Sequence, residues 1–170
     1  MIRTIHISVG LCYCLFFLLL AVNNSLDYEG FFTTIRTIMS MSDLPTDNPI
    51  HYRAVDLSSL HHFVSLSVIL AQYCLSFLFG RGVVVLFKGR WEINDVYHQL
   101  KGEIVLAHGM AFLFWFGFFV LIAGEWFQSV KNAETTNAML FAISNLLSIS
   151  ILYLADEEKN EKVRNIDLIS

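Results

Sequence analysis

The chain has 170 residues, of which 55% are hydrophobic and only 15% are charged, with a mean hydropathy of +0.57 and a formal net charge of −4. Soluble domains carry about a quarter charged residues, so this composition excludes an ordinary soluble surface. The weakly negative balance provides no basic patch, and we expect no nucleic-acid partner. The composition predicts a single integral membrane domain over residues 1–170 with the lipid bilayer as its main surroundings.

Four segments are long and apolar enough to cross a bilayer core, which requires roughly 20 residues of helix. They are residues 5–22, 60–79, 104–123 and 138–154. We interpret residues 5–22 as an uncleaved first helix, because the residues that follow contain no clear small-x-small cleavage site. The predicted fold class is therefore all-α, a bundle of four transmembrane helices.

Lysine and arginine residues set the orientation, since they concentrate on the cytoplasmic side of a membrane protein. Eight of the 11 flank one side of the predicted bundle: Arg3, Arg81, Lys88, Arg90, Lys101, Lys159, Lys162 and Arg164. The other three lie on the opposite side: Arg36, Arg53 and Lys131. This bias predicts that both termini are cytoplasmic, with an outer loop at 23–59, a cytoplasmic loop at 80–103 and a cytoplasmic tail at 155–170.

The outer loop contains a helical pattern. Its apolar residues recur at the i, i+3, i+4, i+7 spacing of one helix face: Tyr28, Phe31, Phe32, Ile35, Ile38 and Met39. Polar residues occupy the opposite face. The pattern predicts a short amphipathic helix that lies on the membrane or caps the bundle.

A carboxylate ends the third apolar segment, where Glu125 lies between Gly124 and Trp126. A charge at a membrane boundary needs a partner when it is partly desolvated. Arg53 is the expected partner, with Arg36 as the alternative. We therefore predict an outer charged cluster that either fixes the loop or forms a binding site: Glu125, Arg53, Arg36, His61, His62 and Trp126.

Polar side chains also recur inside the apolar segments, at helical spacing. Lipid offers them no hydrogen-bond partners, so they should face other helices. We predict a polar seam between the second and fourth segments: Ser65, Gln72, Ser76, Asn137, Ser144 and Ser148, continued by His61.

Cofactor and catalytic signals are weak. Two histidines, His6 and His108, fall near the cytoplasmic ends of their segments and are weak candidates for a bis-histidine haem. The three cysteines have no metal-ligand spacing, and no catalytic motif occurs. We expect no cofactor, no metal and no enzymatic activity.

Four stretches of the sequence resemble a known family. They are NNSLDYEGFFTTIRTIMSM, HYRAVDLSSLHH, FWFGFFVLIAGEWF and LADEE. The chain resembles the bacterial predicted small integral membrane proteins grouped as the domain of unknown function 2165 family. The resemblance implies four membrane spans and a location in the bacterial inner membrane, but it implies no activity.

Three functional hypotheses remain open. The first is a structural or accessory subunit that works through membrane-protein partners or as a homo-oligomer. The second is a small transporter or channel subunit that uses the polar seam, which with only four helices would require an oligomer. The third, with the least support, is electron transfer by a b-type haem.

Overall fold

The computed structural model describes residues 2–129 and 137–152, and helices dominate that part of the chain. The helices are α1 (Ile2–Leu26), α2 (Tyr28–Met39), α3 (Ser58–Lys88), α4 (Asn94–Leu100), α5 (Gly102–Leu113) and α6 (Asn137–Leu152). From Phe114 to Trp126, α5 continues as a π-helix. Short 3₁₀ turns lie at His51–Arg53 and Gly89–Trp91. No strand occurs in these two ranges, which confirms the all-helical fold class.

The four long helices run alternately up and down. At one end, Arg3 donates to the carbonyl oxygens of Arg90 and Glu92, and Lys101 donates to that of Leu152. The starts of α1 and α5 therefore meet the ends of α3 and α6. We call this end of the bundle the α4 end. The opposite end carries α2 and residues 40–57, and we call it the cap end.

Three helical stretches are long and apolar enough to cross a membrane: Ile2–Leu26, Ser58–Trp91 and Asn94–Trp126. The fourth, α6, has 16 described residues, Asn137 to Leu152, and is therefore shorter. Both α3 and α5 extend beyond the predicted segments, so that most of the predicted cytoplasmic loop at 80–103 is helical. The reason lies in the sequence, because Val83–Phe87 is apolar and gives α3 no stop signal before Gly89.

Close contact between α1, α3 and α5 depends on glycine. A Cβ atom at Gly10 would lie 2.9 Å from Val83 Cγ2 and would overlap Ile104 Cδ1. A Cβ atom at Gly82 would lie 3.2 Å from the Cα of the same Ile104. Small residues allow helices in a membrane to approach closely, and here both glycines accommodate one fully buried isoleucine.

Two apolar clusters hold the fold together. The larger one fills the bundle around Phe17, Phe79 and Ile104, each completely buried. The smaller one joins α2 to the end of the π-helix, through Ile35, Ile38, Met39, Met41, Ala123 and Phe127. At the start of α2, the Asp27 carboxylate accepts a hydrogen bond from the Gly30 N–H at 3.2 Å and caps the helix.

The π-helix sets which side chains face the bundle. Its hydrogen bonds join residues five apart, as in Phe127 N–H to Ile122 O at 3.1 Å, and so widen each turn. Its buried residues accordingly recur every four or five positions along the helix. They are Phe114, Trp115, Phe119, Ala123 and Gly124. Glu125 follows the buried Gly124 and points away from the bundle, as its exposure indicates.

We predict that Gly10→Ala lowers the free energy of unfolding by about 1–3 kcal/mol relative to Gly109→Ala, because overpacking costs of this order are typical. Gly109 lies inside α5, where an added Cβ meets nothing within 4 Å. Both changes alter helix propensity alike, so the difference reports crowding alone. Unfolding in mixed micelles measures it, and equal stability of the two variants would contradict the close contact.

Candidate functional site

The predicted partner of Glu125 is absent. Glu125 is exposed, and the single ion pair within residues 2–129 and 137–152 is Arg81 Nη2 to Glu103 Oε1, at 2.7 Å and at the α4 end. The predicted pairing of Glu125 with Arg53 or Arg36 is therefore wrong. The physical reason is the course of the π-helix, which turns Gly124 inwards and the following carboxylate outwards.

Arg53 contacts Trp126 instead. Its Nη1 donates to the Trp126 carbonyl oxygen at 3.5 Å, and its guanidinium carbon lies 4.9 Å from the centre of the indole ring. Its Nε also donates to the Tyr52 hydroxyl at 3.4 Å. A guanidinium within about 6 Å of an indole ring centre is attracted to the face of the ring. Arg53 therefore ties the His51–Arg53 turn to the end of the π-helix.

The two neighbouring histidines make separate contacts. The Nε2 of the buried His61 lies 2.7 Å from the carbonyl oxygen of Val55, and a carbonyl can only accept, so this nitrogen carries the proton. The Nδ1 of His62 lies 2.7 Å from the Tyr28 hydroxyl, and its ring stacks on Phe32 with centroids 4.1 Å apart. His61 thus holds the loop to α3, and His62 holds α2 to α3.

Arg36 lies apart from these residues. It lines a polar surface cleft of about 580 Å³ between α2 and the loop that follows it. The cleft is rich in hydroxyl groups, from Thr33, Thr37, Ser40, Ser42 and Thr46, and also contains His51 and Asp56. The predicted outer cluster is therefore not one site. Arg53 and His61 hold the loop, His62 stacks on Phe32, Arg36 lines the cleft, and Glu125 has no ion-pair partner among the described residues.

The predicted polar seam divides into local pairs. Ser65 Oγ donates to His61 O at 2.8 Å, and Ser76 Oγ donates to Cys14 O at 3.0 Å. On α6, Ser144 and Ser148 both bond to the Tyr13 hydroxyl, at 2.9 and 3.3 Å. Most of these groups thus bond within their own helix or to α1. None of these hydrogen bonds joins α3 directly to α6.

Gln72 and Asn137 lie on the other side of an aromatic layer, which we define as Phe16, Phe17, Trp115 and Phe141. The ring centroids of Phe16 and Phe141, and those of Trp115 and Phe141, lie 4.9 Å apart. The Phe17 ring stacks on Trp115 at 6.2 Å and on Phe79 at 5.8 Å. Along α1, Phe16 and Phe17 lie between Tyr13 and Asn24, the partner of Gln72, so the aromatic layer lies between Gln72 and the serines around Tyr13.

The two haem candidates lie at different depths. His6 contacts Tyr97 at the α4 end, with Nδ1 3.4 Å from the tyrosine hydroxyl. His108 is fully buried, with its ring edge-on to Tyr13 at 4.7 Å and its Nδ1 3.0 Å from Asn145 Oδ1.

Tyr13, which contacts His108, lies seven positions after His6 on α1, a rise of about 10 Å along the helix. Two imidazoles that bind one iron must face each other at one level. Rings of Tyr13 and Phe79 also pack directly against His108. The geometry therefore gives the haem hypothesis no support.

Two cavities lie in the cap half of the bundle, and sequence reasoning missed both. The first, which we call the amide cavity, has a volume of about 170 Å³. It is lined by three amide side chains, four aromatic rings and Leu20: Asn24, Gln72, Asn137, Phe31, Trp115, Phe119 and Phe141. Residues from five helical elements meet there, so spacing along any one helix could not reveal it.

The second cavity, which we call the apolar cavity, has a volume of about 130 Å³ and lies between α2, α3 and the π-helix. The described residues that line it are all apolar and include Ile35, Met39, Val68, Phe118 and Ile122. Phe119 lines both cavities. The two spaces therefore share one aromatic wall.

One of three comparisons with known proteins found a match, and it is to a family of membrane proteins. The model of a family described as predicted small integral membrane protein, domain of unknown function 2165, matches residues 2–155. No curated protein and no solved structure matches the sequence.

We predict that Arg53 is coupled energetically to Trp126 and not to Glu125. A double-mutant cycle of Arg53→Gln and Trp126→Leu should show a coupling of about 0.5–1 kcal/mol, as for an exposed cation–π pair. The matched cycle with Glu125→Gln should be additive, because no arginine is paired with that carboxylate. Unfolding free energies in mixed micelles measure both. A coupling of Arg53 to Glu125 as large as that to Trp126 would contradict this geometry.

Proposed function

The chain belongs to the family of predicted small integral membrane proteins, and from this premise we propose that it is a structural or accessory subunit of the bacterial inner membrane. It acts through partner membrane proteins or through copies of itself. Four helices span the membrane, α2 caps the outer face as an amphipathic helix, and both termini lie in the cytoplasm.

The proposal of a fourth span rests on α6. Its 16 described residues rise about 24 Å, close to the roughly 30 Å of a bilayer core, and the apolar sequence continues to Leu154. One face packs into the bundle through Ala138, Ala142 and Asn145. The other exposes large apolar side chains that only lipid or another protein can cover: Met139, Leu140, Ile143, Leu146, Leu147 and Ile151.

The proposed orientation rests on charge and aromatic residues at the two ends. Arg3, Arg81, Lys88 and Arg90 all belong to the α4 end, which supports a cytoplasmic location for that end. Exposed tryptophans flank the helices at both ends, Trp91 at the α4 end and Trp126 at the cap end. Tryptophan is enriched at both membrane–water interfaces, so the two residues are consistent with a bilayer between them.

The role proposed for α2 rests on the distribution of its side chains. Ile35, Ile38 and Met39 are buried against the bundle, whereas Glu29, Thr33 and Arg36 are exposed. A helix with one apolar and one polar face suits the boundary between a membrane and water. In our proposal it closes the outer end of the bundle.

The exposed apolar surface carries the accessory-subunit proposal. Only 22% of the apolar stretch of α1 is buried, and leucines cover its free surface at positions 11, 15, 18 and 19. The interior, by contrast, has local polar pairs and an aromatic layer, an arrangement that disfavours conduction along the seam. The exposed apolar surface therefore favours binding to protein partners, and the interior does not favour transport.

Reporter fusions test the topology. We expect alkaline phosphatase to be active when fused after Asn48 or Ser129, and green fluorescent protein to fluoresce when fused after Arg90 or at the C-terminus. Four alternating spans require this pattern. Active alkaline phosphatase at the C-terminus would reduce the spans to three and contradict the proposal.

The native cysteines test association. Cys12 on α1 and Cys74 on α3 are exposed, so a membrane-permeant bis-maleimide should join this 19.4 kDa chain to a second copy or to a partner. Cys12→Ala and Cys74→Ala serve as matched variants, and loss of the product in one of them identifies the helix face involved. A chain that stays monomeric in native membranes, and purifies in mild detergent without a partner, would contradict the proposal.

A further inference from the structure

The amide cavity contains hydrogen-bonding groups that no described residue satisfies. Gln72 is only 1% exposed, and its Oε1 accepts from Asn24 Nδ2 at 3.0 Å. No acceptor within residues 2–129 and 137–152 meets the Gln72 Nε2, and no donor there meets the Asn24 Oδ1. Buried polar groups are nearly always hydrogen-bonded, so a missing partner on a cavity wall indicates a ligand or water in the cavity.

We propose that the amide cavity binds the ring of a neutral, quinone-class amphiphile, and that the apolar tail of this ligand lies in the apolar cavity. The proposal concerns binding only, and it goes beyond the accessory role proposed above. It rests on the size and the polarity of the two cavities and on Phe119, which lines both.

The volume of the amide cavity favours a ligand with a single ring. An engineered protein cavity of about 150 Å³ binds benzene, and the amide cavity has a similar volume of about 170 Å³. The cavity thus has room for one six-membered ring with small substituents. It is too small for a porphyrin or a nucleotide.

The polarity of the amide cavity favours a neutral ring that carries an oxygen acceptor. Among the described residues, no ionisable side chain lines the amide cavity, and an isolated charge there would be strongly disfavoured. The Gln72 amide group can donate to a carbonyl oxygen, as can Asn137, whose side chain has no hydrogen-bond partner among the described residues. The indole N–H of Trp115, in the same wall, is also a buried donor without a described acceptor.

The walls favour a flat ligand. Phe31, Trp115, Phe119 and Phe141 supply aromatic surface on several sides of the cavity. Aromatic rings pack against other flat rings in offset or edge-to-face arrangements. A planar quinone offers such a ring together with two carbonyl acceptors, whereas water alone would leave this aromatic surface hydrated.

The apolar cavity lies next to the amide cavity and offers the tail a route to lipid. Phe119 lines both cavities, and all the described residues that line the apolar cavity are apolar. Two of its lining residues, Phe118 and Ile122, are 46% and 48% exposed on the bundle surface. A tail that leaves the ring beside Phe119 can therefore reach the bilayer through the apolar cavity.

Fluorescence of Trp115 tests the proposal in the full-length protein. Trp91→Phe and Trp126→Phe remove the other two tryptophans, so that indole emission reports on the cavity alone. The probe is a dimethoxy-methyl-benzoquinone with a decyl chain, because quinones quench indole fluorescence on contact. We expect saturable quenching. Gln72→Leu should weaken binding at least about fivefold, as expected for one lost hydrogen bond, whereas the exposed control Gln99→Leu should change it by less than about twofold.

The same quinone without its decyl chain tests the tail site. Ala123→Leu reduces the apolar cavity and should weaken the tailed probe about fivefold while changing the tailless one by less than about twofold, given the area rule for apolar burial. This comparison keeps the proposal testable even if Gln72→Leu does not fold. Quenching that rises linearly without saturation would mean partition into the micelle only and would overturn the proposal. Equal affinity in folded Gln72→Leu would overturn it as well.

Discussion

Hydrocarbon offers no hydrogen-bond partner, so a polar group inside this bundle is stabilised when it bonds to another part of the protein. Three such contacts fix how the helices meet: Ser76 with the Cys14 carbonyl, Tyr13 with Ser144 and Asn24 with Gln72. All three involve α1. The first helix is thus the element to which α3 and α6 are attached, and the glycine contacts with Ile104 bring α5 to the same helix.

The same contacts divide the interior. Tyr13 and its serines lie on one side of the aromatic layer, whereas Gln72 and the amide cavity lie on the other. On the side towards the α4 end, the Tyr13 hydroxyl bonds to Ser144 and Ser148. The cap half retains two cavities and unsatisfied amide groups. The ligand site that we propose therefore belongs to the cap half.

The sequence predicted what depends on local pattern. Apolar length located the helical stretches, and the spacing of Ile35, Ile38 and Met39 predicted which face of α2 is buried. It failed at Glu125, because a π-helix has no established signal in apolar sequence and changes the direction of every later side chain. The prediction of an arginine partner for Glu125 rested on charge and on the similar depth of the two residues at the outer end of the predicted bundle, and neither gives the direction of the carboxylate.

The amide cavity could not be predicted for a related reason. Its walls combine side chains from five helical elements, and only the three-dimensional packing brings Asn24, Gln72 and Asn137 together. The seam prediction correctly identified Gln72 as polar and inward-facing. It could not identify the aromatic layer, because aromatic residues in an apolar segment suit lipid and core equally well.

The most direct test of a closed interior is thiol labelling of Ser144→Cys in native membranes, with the modified site located by mass spectrometry. Ser144 bonds to Tyr13 on the side of the aromatic layer that faces the α4 end. A membrane-impermeant, water-soluble maleimide should therefore leave this cysteine unmodified in the folded protein and modify it fully after denaturation in detergent. Rapid labelling in the folded protein would reveal a hydrated path through the bundle and contradict the account.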